Sequence, residues 1–150
     1  MNSQTTGQPV EILLVEDNPG DVRLVVEALR DNKVQNKLRV AKDGMEAIAM
    51  LRREDKYADA PRPDLILLDW NMPKKGGPDV LGEIKEDPKL KHIPVVILTS
   101  SSAREDIIKA YNLYANCYVI KPIDLEQFIT VIRSIIDFWL TTVKLPTERR

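Results

Sequence analysis

Glu16, Asp17, Asp69, Thr99 and Lys121 have the residue types and the placement that phosphoryl chemistry requires. Glu16 and Asp17 follow the apolar run VEILLV, Asp69 follows LILL, Thr99 closes PVVILT, and Lys121 follows CYVI. Three carboxylates gathered at one place repel one another and raise at least one pKa unless a cation sits among them. Hard oxygen ligands with positions left for water and phosphate describe a Mg²⁺ (or Mn²⁺) site. The single histidine and single cysteine form no cluster for a softer metal. Beside such a cation a carboxylate can attack an anionic phosphorus, which makes Asp69 the nucleophile and its product an acyl phosphate. Lys121 adds a point charge for the phosphoryl oxygens, and Thr99 a hydroxyl donor.

These residues need a scaffold that brings strand ends together. Short branched-apolar runs at 10–15, 65–68, 94–98 and 117–120, with a weaker one at 38–41, read as strands. Amphipathic helices are expected between them, over about 19–31, 44–53, 77–86 and 103–114, with a last one from about Asp124 to Leu140. Pro19 fits a first helical turn, Asp43 an N-cap, and Val22, Val25, Val26 and Leu29 an apolar stripe. Residues 54–63, with two prolines, form a long loop. A βα unit repeated five times predicts an α/β, flavodoxin-like, doubly wound parallel sheet, strand order 2-1-3-4-5. Functional residues in such a sheet lie beyond the carboxyl ends of the strands, where all five candidates stand.

Composition agrees with one ordinary globular domain rather than a nucleic-acid or membrane protein. The chain has 150 residues, 22 Lys plus Arg against 23 Asp plus Glu, and 43% hydrophobic content. This balance gives no basic footprint for direct DNA binding. Apolar runs of five or six residues fall far short of the roughly 20 that a membrane helix needs. The N-terminus carries no signal-peptide pattern. A single thiol, Cys117, suits a reducing compartment, so a cytoplasmic location is expected. Residues 1–9 read as a flexible tail, 10–143 as the domain and 144–150 as a polar tail.

Taken together, EDN after the first strand, DWNMP around Asp69, Thr99 ending PVVILT, and YVIKP around Lys121 resemble the receiver domains of bacterial two-component response regulators. The resemblance covers about residues 10–140 and implies a phosphorelay role, with the phosphoryl group coming from a sensor histidine kinase. It further implies that Asp17, Asp69 and the backbone carbonyl of Asn71 ligate the metal, with Glu16 acting through water. A cis Lys121–Pro122 bond is also implied, as is Tyr118 acting as the aromatic whose rotamer follows Thr99. The signal would leave through the face made by helix four, strand five and helix five. NPGDVRLVVEAL, APRPDLILLD and IRSIIDFWLTTVKLP resemble the stand-alone regulators paired with cyanobacterial phytochromes, which makes a red-light-sensing kinase the expected partner. Too few residues follow Pro122 for a DNA-binding module.

Other functions fit less well. A haloacid-dehalogenase-type phosphatase also forms an aspartyl phosphate, but its nucleophile opens a DxD motif after the first strand, where this chain has EDN. A degenerate docking module is at odds with a complete set of site residues. Nucleotide or flavin binding lacks a Gly-rich phosphate loop. Gly76-Gly77-Pro78 stands where receivers commonly show Asp-Gly, so a loop of different shape is expected. Ser100 competes with Thr99 for the hydroxyl role. Trp70 is placed at the exposed mouth of the site, His92 in solvent, and Cys117 in the core. The last helix is apolar on more than one side, through Phe128, Ile132, Ile135 and Trp139 and also Val131 and Phe138, which points to a homodimer through the same helix four to helix five region.

Overall fold

The computed structural model describes residues 9–30 and 35–142. Strands β1 (Val10–Val15), β2 (Asn36–Ala41), β3 (Leu65–Leu68), β4 (Val95–Thr99) and β5 (Cys117–Ile120) form one sheet of order β2-β1-β3-β4-β5. Every pairing is parallel. The central strands β3 and β4 are buried along their whole length because helices cover both faces, and their sequences are accordingly apolar without alternation. The edge strand β2 alternates between half-buried and exposed residues, and it begins two residues before the apolar run because Asn36 and Lys37 pair with Val10 and Glu11.

Helices α1 (Pro19–Arg30), α2 (Gly44–Leu51), α3 (Gly77–Glu86), α4 (Arg104–Asn112) and α5 (Leu125–Asp137) connect or follow the strands. Alternate strand residues feed two cores. Leu13, Val15, Ile66, Leu68, Val95 and Ile97 pack with α2, α3 and α4, while Ile12, Leu14, Leu65, Leu67, Val96 and Leu98 pack with α1 and α5. The expected α1 stripe is rotated: Val25, Ala28 and Leu29 are buried, whereas Val26 is 39% exposed. In α5 the core positions are Phe128, Ile132 and Ile136, four residues apart, with Ile135 and Trp139 only half-buried. A π-helical turn, Phe138–Thr142, continues α5.

Asp43 caps α2 as expected, accepting from the Glu46 N–H at 2.8 Å. The helix ends before the anticipated residue 53, since Arg53 turns the chain with φ of 57°. The long loop that follows is held at two points. Tyr57 donates to Glu46 at 2.6 Å, and Arg62 donates to the Lys89 carbonyl at 2.6 Å. Among the described residues no helix is long and apolar enough to cross a membrane. The tails at 1–8 and 144–150, and the domain boundary at residue 143, lie outside the described residues.

Candidate phosphoryl-transfer site

Strand register assembles the site. Val15 pairs with Leu68, so Glu16 and Asp69 are the next residues on neighbouring strands. Thr99 pairs with Ile120, which places Lys121 one step beyond it. Backbone bonds extend the ladder into these positions: Glu16 N–H donates to Ala41 at 3.0 Å, Asp69 N–H to Val15 at 3.0 Å, and Lys121 N–H to Thr99 at 2.7 Å. The strand ends therefore act as rigid mounts for the side chains.

Glu16, Asp17 and Asp69 present carboxylate oxygens within 4.8 Å of one another. Glu16 and Asp69 are buried, at 2% and 7% exposure, and Asp17 faces solvent. Burial drives the Glu16 carboxyl up to about 7, with the Lys121 hydrogen bond opposing it and the Asp69 charge adding to it. Asp69 is also raised, chiefly by burial, with Lys121 pulling it down. Burial alone would lower the Lys121 ammonium, but its bonds to Asp21 and Glu16 outweigh that and leave it raised. The one ammonium lies 2.8 Å from Glu16 Oε1, 2.7 Å from Asp21 Oδ2 and 3.8 Å from Asp69 Oδ1. Two buried acids held at raised pKa chiefly by burial, with neighbouring carboxylate charge adding to it, make an oxygen donor set that a divalent cation would relieve. The residues fit such an ion.

Thr99 is 1% exposed and accepts from the Ser101 N–H at 3.3 Å, whereas Ser100 is exposed, so burial favours Thr99 over its neighbour. Tyr118 is half-buried and donates to the Ser101 carbonyl at 2.9 Å. Ser101 in turn donates to Asp106 of α4 at 2.6 Å. The path Thr99, Ser101, Asp106 thus ties the strand end to the first turn of α4. Asn71 is exposed in the loop after Asp69.

Two expectations need correction. Lys121–Pro122 is trans, as is every peptide bond among the described residues. Trans is the lower-energy isomer even before proline, and the flexible lysine stem reaches the carboxylates from it. Trp70 is not at an exposed mouth: it is 3% exposed, inside the core that packs α2 to α4, with its ring edge-on to Tyr118 at 6.4 Å. Gly77 makes the room. A Cβ there would lie 2.7 Å from the Asp69 carbonyl and 2.9 Å from the indole. The sequence marks Gly77 only as part of a loop of different shape, and Asp21 is the contributor that sequence reasoning did not single out. Asp21 lies in the first turn of α1, two residues after Pro19, with the charge to reach the strand end beside it.

The response regulator receiver domain family matches residues 12–133. Response regulator Rcp1 of Synechocystis sp. is 46% identical over 144 residues, covering 96% of this chain and 98% of that protein. The crystal structure of the phosphorylated cyanobacterial phytochrome response regulator RcpA superposes with a TM-score of 0.91 at 50% identity, covering 93% of this chain and all (100%) of that one. The Mn²⁺-bound form of Rcp1 superposes with a TM-score of 0.90 at 47% identity, with 93% and 100% coverage.

Proposed function

The chain belongs to the response regulator receiver domain family, and on that premise we propose that it accepts a phosphoryl group on Asp69 from a sensor histidine kinase. The observation that carries the reading is the convergence of a buried Asp69 with the Lys121 ammonium at 3.8 Å and two further carboxylates. An Asp69 carboxylate oxygen forms the new O–P bond while the bond from phosphorus to the donor imidazole nitrogen breaks, its electron pair staying on that nitrogen. Lys121 offers its charge to the phosphoryl oxygens, and Thr99 offers its hydroxyl. A divalent cation, Mg²⁺ or Mn²⁺, would be held by Asp17, Asp69, the Asn71 carbonyl and, through water, Glu16, and would supply neutralising charge for this encounter of anions.

Tyr118 and Thr99 form the switch in this reading, and the α4–β5–α5 face carries the output. Support comes from Tyr118, whose hydroxyl sits on the β4–α4 loop, and from the exposed apolar residues Ile108, Tyr111 and Ile120 on α4 and β5. The same face is the proposed homodimer contact. A phytochrome is the proposed kinase, in the cytoplasm, because the similar proteins RcpA and Rcp1 include one described as a cyanobacterial phytochrome response regulator.

Incubation with Mg²⁺ and phosphoramidate, followed by intact mass measurement, tests the core of the proposal. A single hydroxylamine-labile phosphoryl adduct is expected on the wild type and none on Asp69→Asn. An adduct that persists undiminished on Asp69→Asn would falsify the assignment.

A further inference from the structure

Asp21 stands outside the set of residues to which the reaction has been assigned, yet it makes the shortest contact with Lys121. Its Oδ2 lies 2.7 Å from the ammonium, against 2.8 Å for Glu16 Oε1 and 3.8 Å for Asp69 Oδ1. An ammonium has three N–H donors, and the two within hydrogen-bonding range go to Asp21 and Glu16; the contact with Asp69 is beyond that range. The Lys121 side chain is 10% exposed and that of Asp21 24%, so water screens the pair only in part. The first turn of α1 therefore holds the charge that the phosphoryl oxygens need.

We infer that Asp21 is a positioning residue, a latch that holds the Lys121 ammonium toward α1 until a phosphoryl group on Asp69 draws it across. The inference rests on Asp69 being the acceptor. The trade is one charge-assisted hydrogen bond for another. The carboxylate of Asp21 carries a single negative charge, whereas the phosphoryl group brings three oxygens and more charge, so the exchange runs toward Asp69 once transfer occurs. Before transfer, the Asp21 bond must loosen for Lys121 to meet the incoming phosphorus, and that loosening belongs to the barrier.

The test is phosphorylation by phosphoramidate in Mg²⁺, in which the P–N bond breaks, its electron pair leaves with nitrogen, and ammonia departs after taking a proton from water. Asp21→Asn keeps the shape and removes the charge; its phosphorylation rate is expected to rise about threefold to fivefold, the size of a partly exposed ion pair. Asp21→Glu, which keeps the charge, should stay near the wild-type rate. The Asp21 charge also repels the anionic donor directly, and this effect does not pass through Lys121. A double-mutant cycle separates the two: in a Lys121→Met background, Asp21→Asn should change the slower rate by less than about twofold. Should Asp21→Asn fail to fold, Asp21→Ser serves in the same cycle. An unchanged rate in the single variant, or equal acceleration with and without Lys121, overturns the latch and leaves Asp69 as the acceptor. A wild type that takes up no phosphoryl group overturns both.

Discussion

At Glu16 two effects of opposite sign meet: burial pushes the carboxyl up to about 7, and the Lys121 ammonium at 2.8 Å pulls it back. Burial wins, which fixes how stability responds to pH. An acid with a folded pKa above its unfolded value of 4.5 holds its proton more tightly in the folded state. Stability is then greatest at and below the unfolded pKa and falls as pH rises toward 7. Asp69, raised for the same main cause, acts in the same direction. In chelator the folding free energy should therefore fall between pH 5 and pH 7.5 by an amount on the order of 1 kcal/mol after allowance for the neighbouring charges, and the melting temperature should fall with it. Millimolar Mg²⁺ should restore the lost stability at pH 7.5, because binding to the folded state alone stabilises it. Differential scanning fluorimetry reads both effects. Asp17→Asn should shrink the Mg²⁺-dependent gain, and an undiminished gain would remove Asp17 from the ligand set.

Elements of the fold meet at glycine. Gly44, the first residue of α2, faces the loop after β3 so closely that a Cβ would lie 2.1 Å from the Lys75 carbonyl. Gly77, the first residue of α3, touches the backbone of Asp69 and Trp70. Neither has a positive φ, so the need is for space rather than for unusual backbone angles. Both contacts press on the loop that carries Asn71. Gly77→Ala should force the Asp69–Trp70 backbone aside and cost about 1–3 kcal/mol by urea denaturation, the usual range for overpacking. The same variant should bind Mg²⁺ more weakly, followed through the fluorescence of Trp70, whose indole packs against Gly77 and edge-on to Tyr118. Wild-type Mg²⁺ affinity in Gly77→Ala would show that the loop shape does not govern the metal site. Salt links around α3, Arg52 to Glu83 at 3.2 Å and Lys75 to Glu83, hold the other end of this region and are only partly shielded. Their individual worth is small.

For the whole molecule, the apolar residues left in solvent are concentrated late in the chain. Ile108, Tyr111 and Tyr114 in and just after α4, Ile120 at the end of β5, and Phe138 after α5 are each at least 44% exposed. β5 is also a sheet edge, partly protected where Tyr111 accepts the Tyr118 N–H at 3.0 Å. An apolar face over an open edge is suited to a second copy of the chain. Sedimentation analysis should therefore give a dimer mass for the wild type, and Ile108→Glu should shift it toward the monomer. A monomeric wild type at high concentration, with and without phosphoramidate, would count against this face as a homodimer contact.

The amino-acid pattern by itself determined the sheet, its order and the strand ends at Glu16, Asp69, Thr99 and Lys121. Strands buried on both faces must be apolar throughout, and the carboxyl ends of parallel strands must share one edge. It also pointed to Thr99 among four successive hydroxyl residues, because Thr99 directly follows the apolar run PVVIL, but it left Ser100 in competition until burial of Thr99 decided between them. Local patterns could not show which way long side chains turn. The positions of Trp70 in the core, of Ile136 rather than Ile135 against the sheet, and of Lys121 on Asp21 depend on contacts between residues distant in sequence. Asp69 and Glu16 were legible as acids, but their raised pKa values come from burial by the assembled fold. Charge is written in the residue; its strength in the site is decided by how much water the tertiary structure removes.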